Sequence, residues 1–87
     1  MKDMIEWNYA SIVKRGLIKP ETKHTDFIMK LEEEVQELIY AVNHEPSEVP
    51  EELADVILVC FNYAKHYHID IEKELLYKIG KNEQRED

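Results

Sequence analysis

Apolar residues recur at steps of three and four along most of this 87-residue chain, and no stretch alternates between apolar and polar residues. This spacing places apolar side chains on one side of an α-helix, whereas a half-buried strand needs a period of two. The chain holds only two glycines and three prolines, which also favours helices over turn-rich β structure. We therefore predict an all-α fold: a four-helix, antiparallel bundle built as a single domain over residues 1–87.

The breaks between the four predicted helices carry recognisable end signals. Gly16 is a plausible stop for helix one, and Thr22 or Thr25 could cap the start of helix two. Ser47 is the candidate cap of helix three, and Asp70 is that of helix four. The predicted helices cover about residues 3–15, 22–43, 47–67 and 71–84.

The widest apolar stripes predict the core. Helix three is apolar nearly all round, so we expect it to be the most buried helix and the chain to exist as more than one copy. So short a chain buries a modest core and often needs a partner subunit or a bound ion, so we expect oligomerisation to complete the bundle. The predicted core stripes are Ile28, Leu31, Val35, Leu38 and Val42 on helix two, and Leu53, Val56, Ile57, Cys60, Phe61 and Ala64 on helix three.

The charge and the cysteine content exclude several classes of protein. A net charge of −8 argues against nucleic acid or an anionic membrane as a partner. The single Cys60 rules out an internal disulfide framework and is expected to be a packing residue in a reducing compartment. No apolar run reaches membrane-spanning length, and the N-terminus lacks the apolar segment of a signal peptide, so we expect a cytoplasmic protein.

Two pairs of acids share one spacing on consecutive helices. Glu34 and Glu37 are three residues apart on helix two, and Glu52 and Asp55 are three apart on helix three. Each pair spans about 60° of the helix and flanks the predicted apolar stripe, so packed helices would bring four carboxylates together. Such a cluster is costly unless a cation neutralises it, and a set of oxygen ligands suits Mg²⁺, with Mn²⁺ as a possible substitute.

A solvated acidic surface is the alternative interpretation. Acids in the first turn, such as Glu51 and Glu52, favour the helix dipole without a metal, and Glu32 and Glu33 could simply face water. Repulsion at this spacing costs only about 0.2–0.5 kcal/mol per pair. Asp55 fits this alternative poorly, because it is a weak helix former within the apolar stretch "LADVILVCF".

The order of these acids resembles a known signature. "EEVQEL" followed by "EELADVIL" is similar to the paired E-x-x-E and E-x-x-D motifs of the MazG-like all-α nucleoside triphosphate pyrophosphohydrolases. Glu34 and Glu37 match the first motif, and Glu52 and Asp55 match the second. Downstream, "KIGKNEQR" resembles the K-x-x-x-N-x-x-R segment of the family, so that the resemblance extends from about residue 25 to residue 85.

The resemblance implies a reaction, a cofactor and an assembly. Such enzymes cleave a nucleoside triphosphate between the α and β phosphates, need Mg²⁺, and form homodimers or tetramers. It implies that Glu34, Glu37, Glu52 and Asp55 hold the metal, and that Glu33 or Glu37 orients or deprotonates the attacking water. A phosphoribosyl-ATP pyrophosphohydrolase-like enzyme and a non-catalytic helical module, either for oligomerisation or for metal binding, remain alternatives.

Substrate contacts are expected from residues outside the acid motifs. On helix four, basic and amide side chains share one stripe that could contact the phosphate tail; they are Lys78, Lys81, Asn82 and Arg85. Asn62, on the acidic side of helix three, could bond a base edge or a neighbouring helix. Trp7 could stack on a nucleobase or fill a core or subunit interface.

Overall fold

The structure, a computed structural model, describes residues 1–85 and contains only helices as regular elements in that range. It confirms the predicted all-α class, and each helix ends within about two residues of its predicted bounds. Among these residues, no helix has the length and hydrophobicity that a membrane crossing would require. The elements are α1 (Lys2–Lys14), α2 (His24–His44), a 3₁₀ turn (Pro46–Glu48), α3 (Val49–His66) and α4 (Ile71–Glu83).

Helix α3 lies at the centre of the chain. It packs antiparallel to α2 along most of its length and against α1 on another side, whereas α4 contacts it only near its end. At the α3 C-terminus, the Phe27 ring stacks on the Tyr63 ring with centroids 5.0 Å apart. There the His66 Nε2–H donates to the Thr22 carbonyl over 2.9 Å, and Tyr9 bonds His66 Nδ1 over 2.9 Å. One side chain thus holds α1 and the α1–α2 connection against α3.

Gly16 ends α1 as predicted. Its φ of +76° is a left-handed conformation that glycine adopts without steric cost. The Leu17 N–H donates to the Ile12 carbonyl over 3.2 Å, and the Gly16 N–H donates to the Val13 carbonyl over 2.9 Å. This pair of bonds satisfies carbonyls that the helix end would otherwise leave free.

The predicted threonine cap of α2 is wrong. The N-cap is Lys23, and its N–H donates to Asp26 Oδ2 over 2.9 Å. An acid three residues into the helix therefore reaches back to the chain, as in half of a capping box. Thr22 instead accepts a hydrogen bond from the Lys19 N–H in the preceding turn, over 2.9 Å, and Thr25 lies inside the first turn.

Of the predicted N-caps of α3 and α4, the first is wrong and the second is confirmed. Ser47 does not cap α3, because it lies within the 3₁₀ turn and Glu48 occupies the cap position without a side-chain bond. Asp70 does cap α4, and its Oδ1 accepts a hydrogen bond from the Lys73 N–H over 3.1 Å. A side-chain cap needs its residue at the last non-helical position, and the extra 3₁₀ turn displaces Ser47 from it.

The predicted core stripe of α2 is wrong for this chain taken alone. The buried residues are Phe27, Glu34 and Ala41, which repeat every seven positions. This line lies about 80° around the helix from the centre of the predicted stripe. Ile28 is 42% exposed and Val42 57% exposed. The acid therefore sits in the middle of the packed face, and the apolar stripe lies beside it.

The predicted stripe of helix α3 is confirmed only in part. The buried residues of α3 are Val59, Asn62 and Ala64, of which Ala64 belongs to the predicted stripe, whereas Leu53, Ile57 and Cys60 of that stripe are exposed. The predicted packing role of Cys60 is therefore wrong within this chain. Helix α3 is central, as expected of the most buried helix, but one of its apolar sides has no cover from residues 1–85.

Two glycine substitutions are predicted to shift stability in opposite directions. An added Cβ at Gly16 would be strained at φ +76°, so Gly16→Ala should lower the unfolding free energy by about 1 kcal/mol. Gly80 lies within α4 and a Cβ there meets nothing within 4 Å, so Gly80→Ala should raise it by about 0.5–1 kcal/mol. Urea unfolding followed by circular dichroism measures both; equal shifts of one sign would contradict the assigned backbone conformations.

Candidate metal site and adjoining cleft

Three carboxylates converge where α2 and α3 pack together. Glu34 and Glu37 come from α2 and Glu52 from α3, and one oxygen of each lies within 4.8 Å of the others. The antiparallel packing explains this convergence, because an acid pair on each helix faces the other pair. Three of the four predicted ligands are thereby brought together.

Two oxygens of this cluster are buried without a partner. Glu34 is only 7% exposed, and its Oε1 forms an ion pair with Lys30 Nζ at 3.1 Å. Its Oε2, together with Oε2 of Glu52, is buried and has no hydrogen-bond partner among residues 1–85. A buried carboxylate oxygen without a donor is costly. Converging oxygens of this kind fit a hard divalent cation.

The pKa values of the cluster report mutual repulsion. The negative charge of Glu34 is the main cause that raises the pKa of Glu37 above its ordinary value. Desolvation raises the pKa of Glu52, and the charges of Asp55 and Glu34 raise it further. A bound cation would offset both the repulsion and the cost of desolvation.

Asp55, the fourth predicted ligand, lies beside the three-carboxylate cluster. It is half-buried, and desolvation followed by the charge of Glu34 raises its pKa, whereas Lys30 lowers it. It lines, with Glu34, the wall of a cleft of about 560 Å³. Asp55 thus connects the cluster to the cleft.

This cleft is bounded by α1, the α1–α2 connection, α2 and α3. Its acidic end carries Glu33, Glu34 and Asp55, while Asn8 and Asn62 lie elsewhere on its wall. Apolar side chains line much of the remainder: Ile12, Leu17, Ile18, Met29, Leu58 and Val59. A concave site that combines apolar walls with a few polar groups is typical of small-molecule binding.

Lys30 and Arg15 are cations of the cleft that the sequence analysis missed. Lys30 Nζ lies 3.3 Å from Glu33 Oε1 as well as 3.1 Å from Glu34. The hydrogen bond to Glu34 is the main cause of the raised pKa of Lys30. A sequence signal for it existed, since residues four apart share one side of a helix. Arg15 has no such signal, because the chain reversal after α1 brings it to the cleft.

Asn62 forms a hydrogen bond between α3 and α1, which is one of its two predicted roles. Its Oδ1 accepts a hydrogen bond from Asn8 Nδ2 over 2.9 Å, and both residues line the cleft. The two predicted uses of Asn62, a neighbouring helix and the substrate, are therefore compatible. Asn8 was not predicted, because only the packing of α1 on α3 brings it there.

The remaining predicted substrate contacts lie away from the cleft. Lys78 and Asn82 are exposed on α4, Lys81 Nζ lies 5.6 Å from the Tyr77 ring centroid, and Arg85 follows the end of α4. Within residues 1–85, the cleft is lined only by α1, α2, α3 and the α1–α2 connection. Trp7 is 76% exposed, so it is not a core residue of this chain. Substrate contact by these side chains stays a prediction.

Comparison with known proteins identifies one family. The family model described as the MazG nucleotide pyrophosphohydrolase domain matches residues 22–87, three quarters of the chain. No curated protein and no solved structure matches. The matched region includes α2, α3 and α4, and thus every residue of the three-carboxylate cluster and Asp55.

The raised pKa values predict a pH dependence of the metal-free protein. Because folding raises the pKa of Glu37 and Glu52 above 4.5, the folded chain binds more protons than the unfolded chain just above that pH. Stability should therefore fall as the pH rises from 4.5 through the raised values. Thermal melting in EDTA should show a smaller fall for Glu52→Gln, while the exposed control Glu32→Gln should behave as wild type. Equal slopes in wild type and Glu52→Gln would contradict a raised pKa of Glu52 in the folded chain.

Proposed function

The chain belongs to the MazG nucleotide pyrophosphohydrolase family, and from that premise we propose that it hydrolyses a nucleoside triphosphate, ribo or deoxyribo, between the α and β phosphates. The products would be the nucleoside monophosphate and pyrophosphate. The observation that carries the proposal is the pair of buried, unpartnered oxygens, Glu34 Oε2 and Glu52 Oε2, beside a cleft of about 560 Å³. A solvated acidic surface would leave no such oxygens.

Glu34, Glu37 and Glu52 would hold the metal ion, with Asp55 beside them at the cleft. We propose Mg²⁺, with Mn²⁺ as a substitute, since all the donors are carboxylate oxygens. When bound, such a cation neutralises charge on phosphate oxygens and orients water. The acids would place the α phosphate at the acidic end of the cleft.

Glu33 is the better placed of the two candidates for orienting the water. It lines the cleft, and Lys30 holds one of its oxygens at 3.3 Å, whereas Glu37 belongs to the metal cluster. In the proposed reaction, the water oxygen bonds to the α phosphorus and its proton passes to Glu33. The bond from that phosphorus to the bridging oxygen breaks, and pyrophosphate leaves with the electron pair.

Cations of the cleft would bind the phosphate tail. Lys30 already lies between two carboxylates, and Arg15 also lines the cleft. Helix α4 would add Lys78, Asn82 and Arg85 to the cleft of another copy, because its stripe lies away from its own cleft. In this arrangement the predicted residues of α4 contact the substrate, while α4 keeps its position against α3 in its own chain.

We propose a homodimer or a dimer of dimers as the working form. Leu76, Tyr77 and Ile79 are each more than half exposed on α4, and Val42 is 57% exposed on α2. Soluble monomers rarely leave large contiguous apolar patches uncovered. A second copy of the chain would cover these side chains.

The proposed reaction can be tested by product release. Mg²⁺-dependent release of pyrophosphate is expected from at least one member of a panel of NTPs and dNTPs, and EDTA should abolish it. Glu37→Gln should lower the rate by about 10²-fold or more, because it removes a ligand of the site. The matched variant Glu32→Gln, five residues earlier on the same helix and exposed, should keep the wild-type rate. Orthophosphate as sole product would contradict the cleavage position.

The effect of Mg²⁺ on the melting temperature of the same variants tests metal binding separately from the reaction. A ligand stabilises only the state that binds it, so Mg²⁺ should raise the melting temperature of wild type and of Glu32→Gln, but not of Glu37→Gln. Stabilisation without turnover on any NTP would leave a metal-binding module or an enzyme for a narrower substrate, such as phosphoribosyl-ATP. Equal stabilisation of all three proteins would remove these acids from the metal site.

The proposed oligomer predicts a mass in solution larger than that of one chain. Light scattering at micromolar concentration should report at least twice the chain mass of 10.4 kDa. Leu76→Lys, which places a charge in the exposed apolar side of α4, should lower the measured mass, whereas the exposed polar change Glu72→Lys should not. A wild-type mass of one chain would contradict the proposed oligomer.

A further inference from the structure

We propose that Asn8 and Asn62 together read the nucleobase, as one hydrogen-bonded amide pair in which the N–H groups of Asn62 face the cleft. The preferred base would present a keto oxygen to Asn62. This inference rests on the proposed function, because it takes the ligand of the cleft to be a nucleotide. It goes further by naming the two side chains that discriminate between bases.

Of the polar atoms of the Asn62 amide, only the oxygen has a hydrogen-bond partner among residues 1–85. The residue is 7% exposed, and its Oδ1 accepts a hydrogen bond from Asn8 Nδ2 over 2.9 Å. The amide also carries two N–H donors, for which the structure gives no protein acceptor among residues 1–85. The Asn62 Nδ2 atom is not among the buried atoms that lack a partner, so it is accessible to solvent. Because Asn62 lines the cleft, a ligand there can accept from them.

The position of Asn62 suits the base of a nucleotide. Asn62 follows Asp55 by seven residues on α3, so the two lie on one side of the helix, about 10 Å apart along its axis. Leu58 and Val59 occupy the turn between them and line the same cleft. A nucleotide with its phosphates at the acidic end would extend its sugar over this apolar wall and its base toward Asn62.

In the structure, the Asn62 amide is oriented by the hydrogen bond that its oxygen accepts from Asn8 Nδ2. An asparagine side chain offers donors on one side and an acceptor on the other, and the two are nearly identical in shape. With its oxygen held by Asn8, Asn62 turns its N–H groups to the cleft. A keto oxygen of uracil or guanine accepts from these groups, whereas the amino group of cytosine or adenine would set donor against donor.

A purely structural link between α1 and α3 is the competing explanation. It predicts that changes at Asn8 or Asn62 alter stability but leave the ratio of affinities for different bases unchanged. The base-reading role predicts a change in that ratio even where stability is preserved. The ratio, and not activity, is therefore the decisive quantity.

Asn8→Asp is the sharpest test, because it keeps the shape and reverses the polarity. A carboxylate only accepts, so Asn62 must turn its N–H groups to it and present its oxygen to the cleft. Calorimetry with Mg²⁺ and the α,β-methylene analogues of UTP and CTP measures binding without turnover. Wild type should prefer the uracil analogue, and the variant should shift the ratio toward cytosine by about tenfold or more. Asn62→Leu, which removes both functions, should bring the ratio toward one.

Three controls connect each outcome to one conclusion. Asn43→Asp adds the same charge at an exposed asparagine that bonds its own helix, and it should leave the ratio unchanged. Inorganic triphosphate, which lacks a base, should bind all folded variants alike. Should Asn8→Asp lose its helical circular dichroism, Asn8→Ala, which frees the amide to turn, should bring the ratio toward one.

The outcomes separate this inference from the proposed function. An unchanged ratio in folded variants would overturn the base-reading pair while leaving the hydrolase proposal intact. A shifted ratio in a protein that hydrolyses no triphosphate would support the pair and overturn the hydrolase. A wild type that binds neither these two analogues nor the corresponding analogues of GTP and ATP would overturn both.

Discussion

The burial of one carboxylate, Glu34, governs the arrangement of this chain. It lies between Phe27 and Ala41 on the packed side of α2, with 7% of its surface exposed. Removing such an ion from water costs several kcal/mol, and only a partner can offset this. Lys30 supplies a partner for one oxygen at 3.1 Å, and the other oxygen has none among residues 1–85. The packed side of α2 therefore combines a charged group with the apolar side chains of Phe27 and Ala41.

The rest of the α2–α3 pair follows from that choice. With Glu34 inward, the antiparallel packing brings Glu52 and Asp55 toward it and raises the pKa of both. This end of the pair is electrostatically unfavourable when no cation is bound. The opposite end is held by the stacked rings of Phe27 and Tyr63, and by the bonds of His66 to Tyr9 and Thr22. Favourable packing at one end thus offsets the electrostatic repulsion at the other. Such a compromise is common where function overrides local stability.

The sequence predicted the helices well because periodicity and breaks are local properties. Gly16 and Asp70 act as expected, since a left-handed stop and an aspartate cap depend on neighbours a few residues away. The rotation of α2 was missed, because the prediction assumed that the most apolar stripe faces inward within one chain. The convergence of acids was foreseen from their spacing, but Asn8 and Arg15 reach the cleft only through the packing of α1, which no local pattern encodes.

The outward apolar stripes and the inward acids are two consequences of one rotation. Turning α2 by about 80° to bury Glu34 leaves Ile28 and Val42 on the surface. In the proposed oligomer, a second copy would cover this stripe and exclude water from the helix that carries the acids. Lower local dielectric strengthens both the repulsion among carboxylates and their attraction for a cation. Assembly and metal binding should therefore stabilise one another. Assembly lowers the local dielectric and so strengthens the attraction for the cation, and the bound cation removes the carboxylate repulsion that the lower dielectric increases.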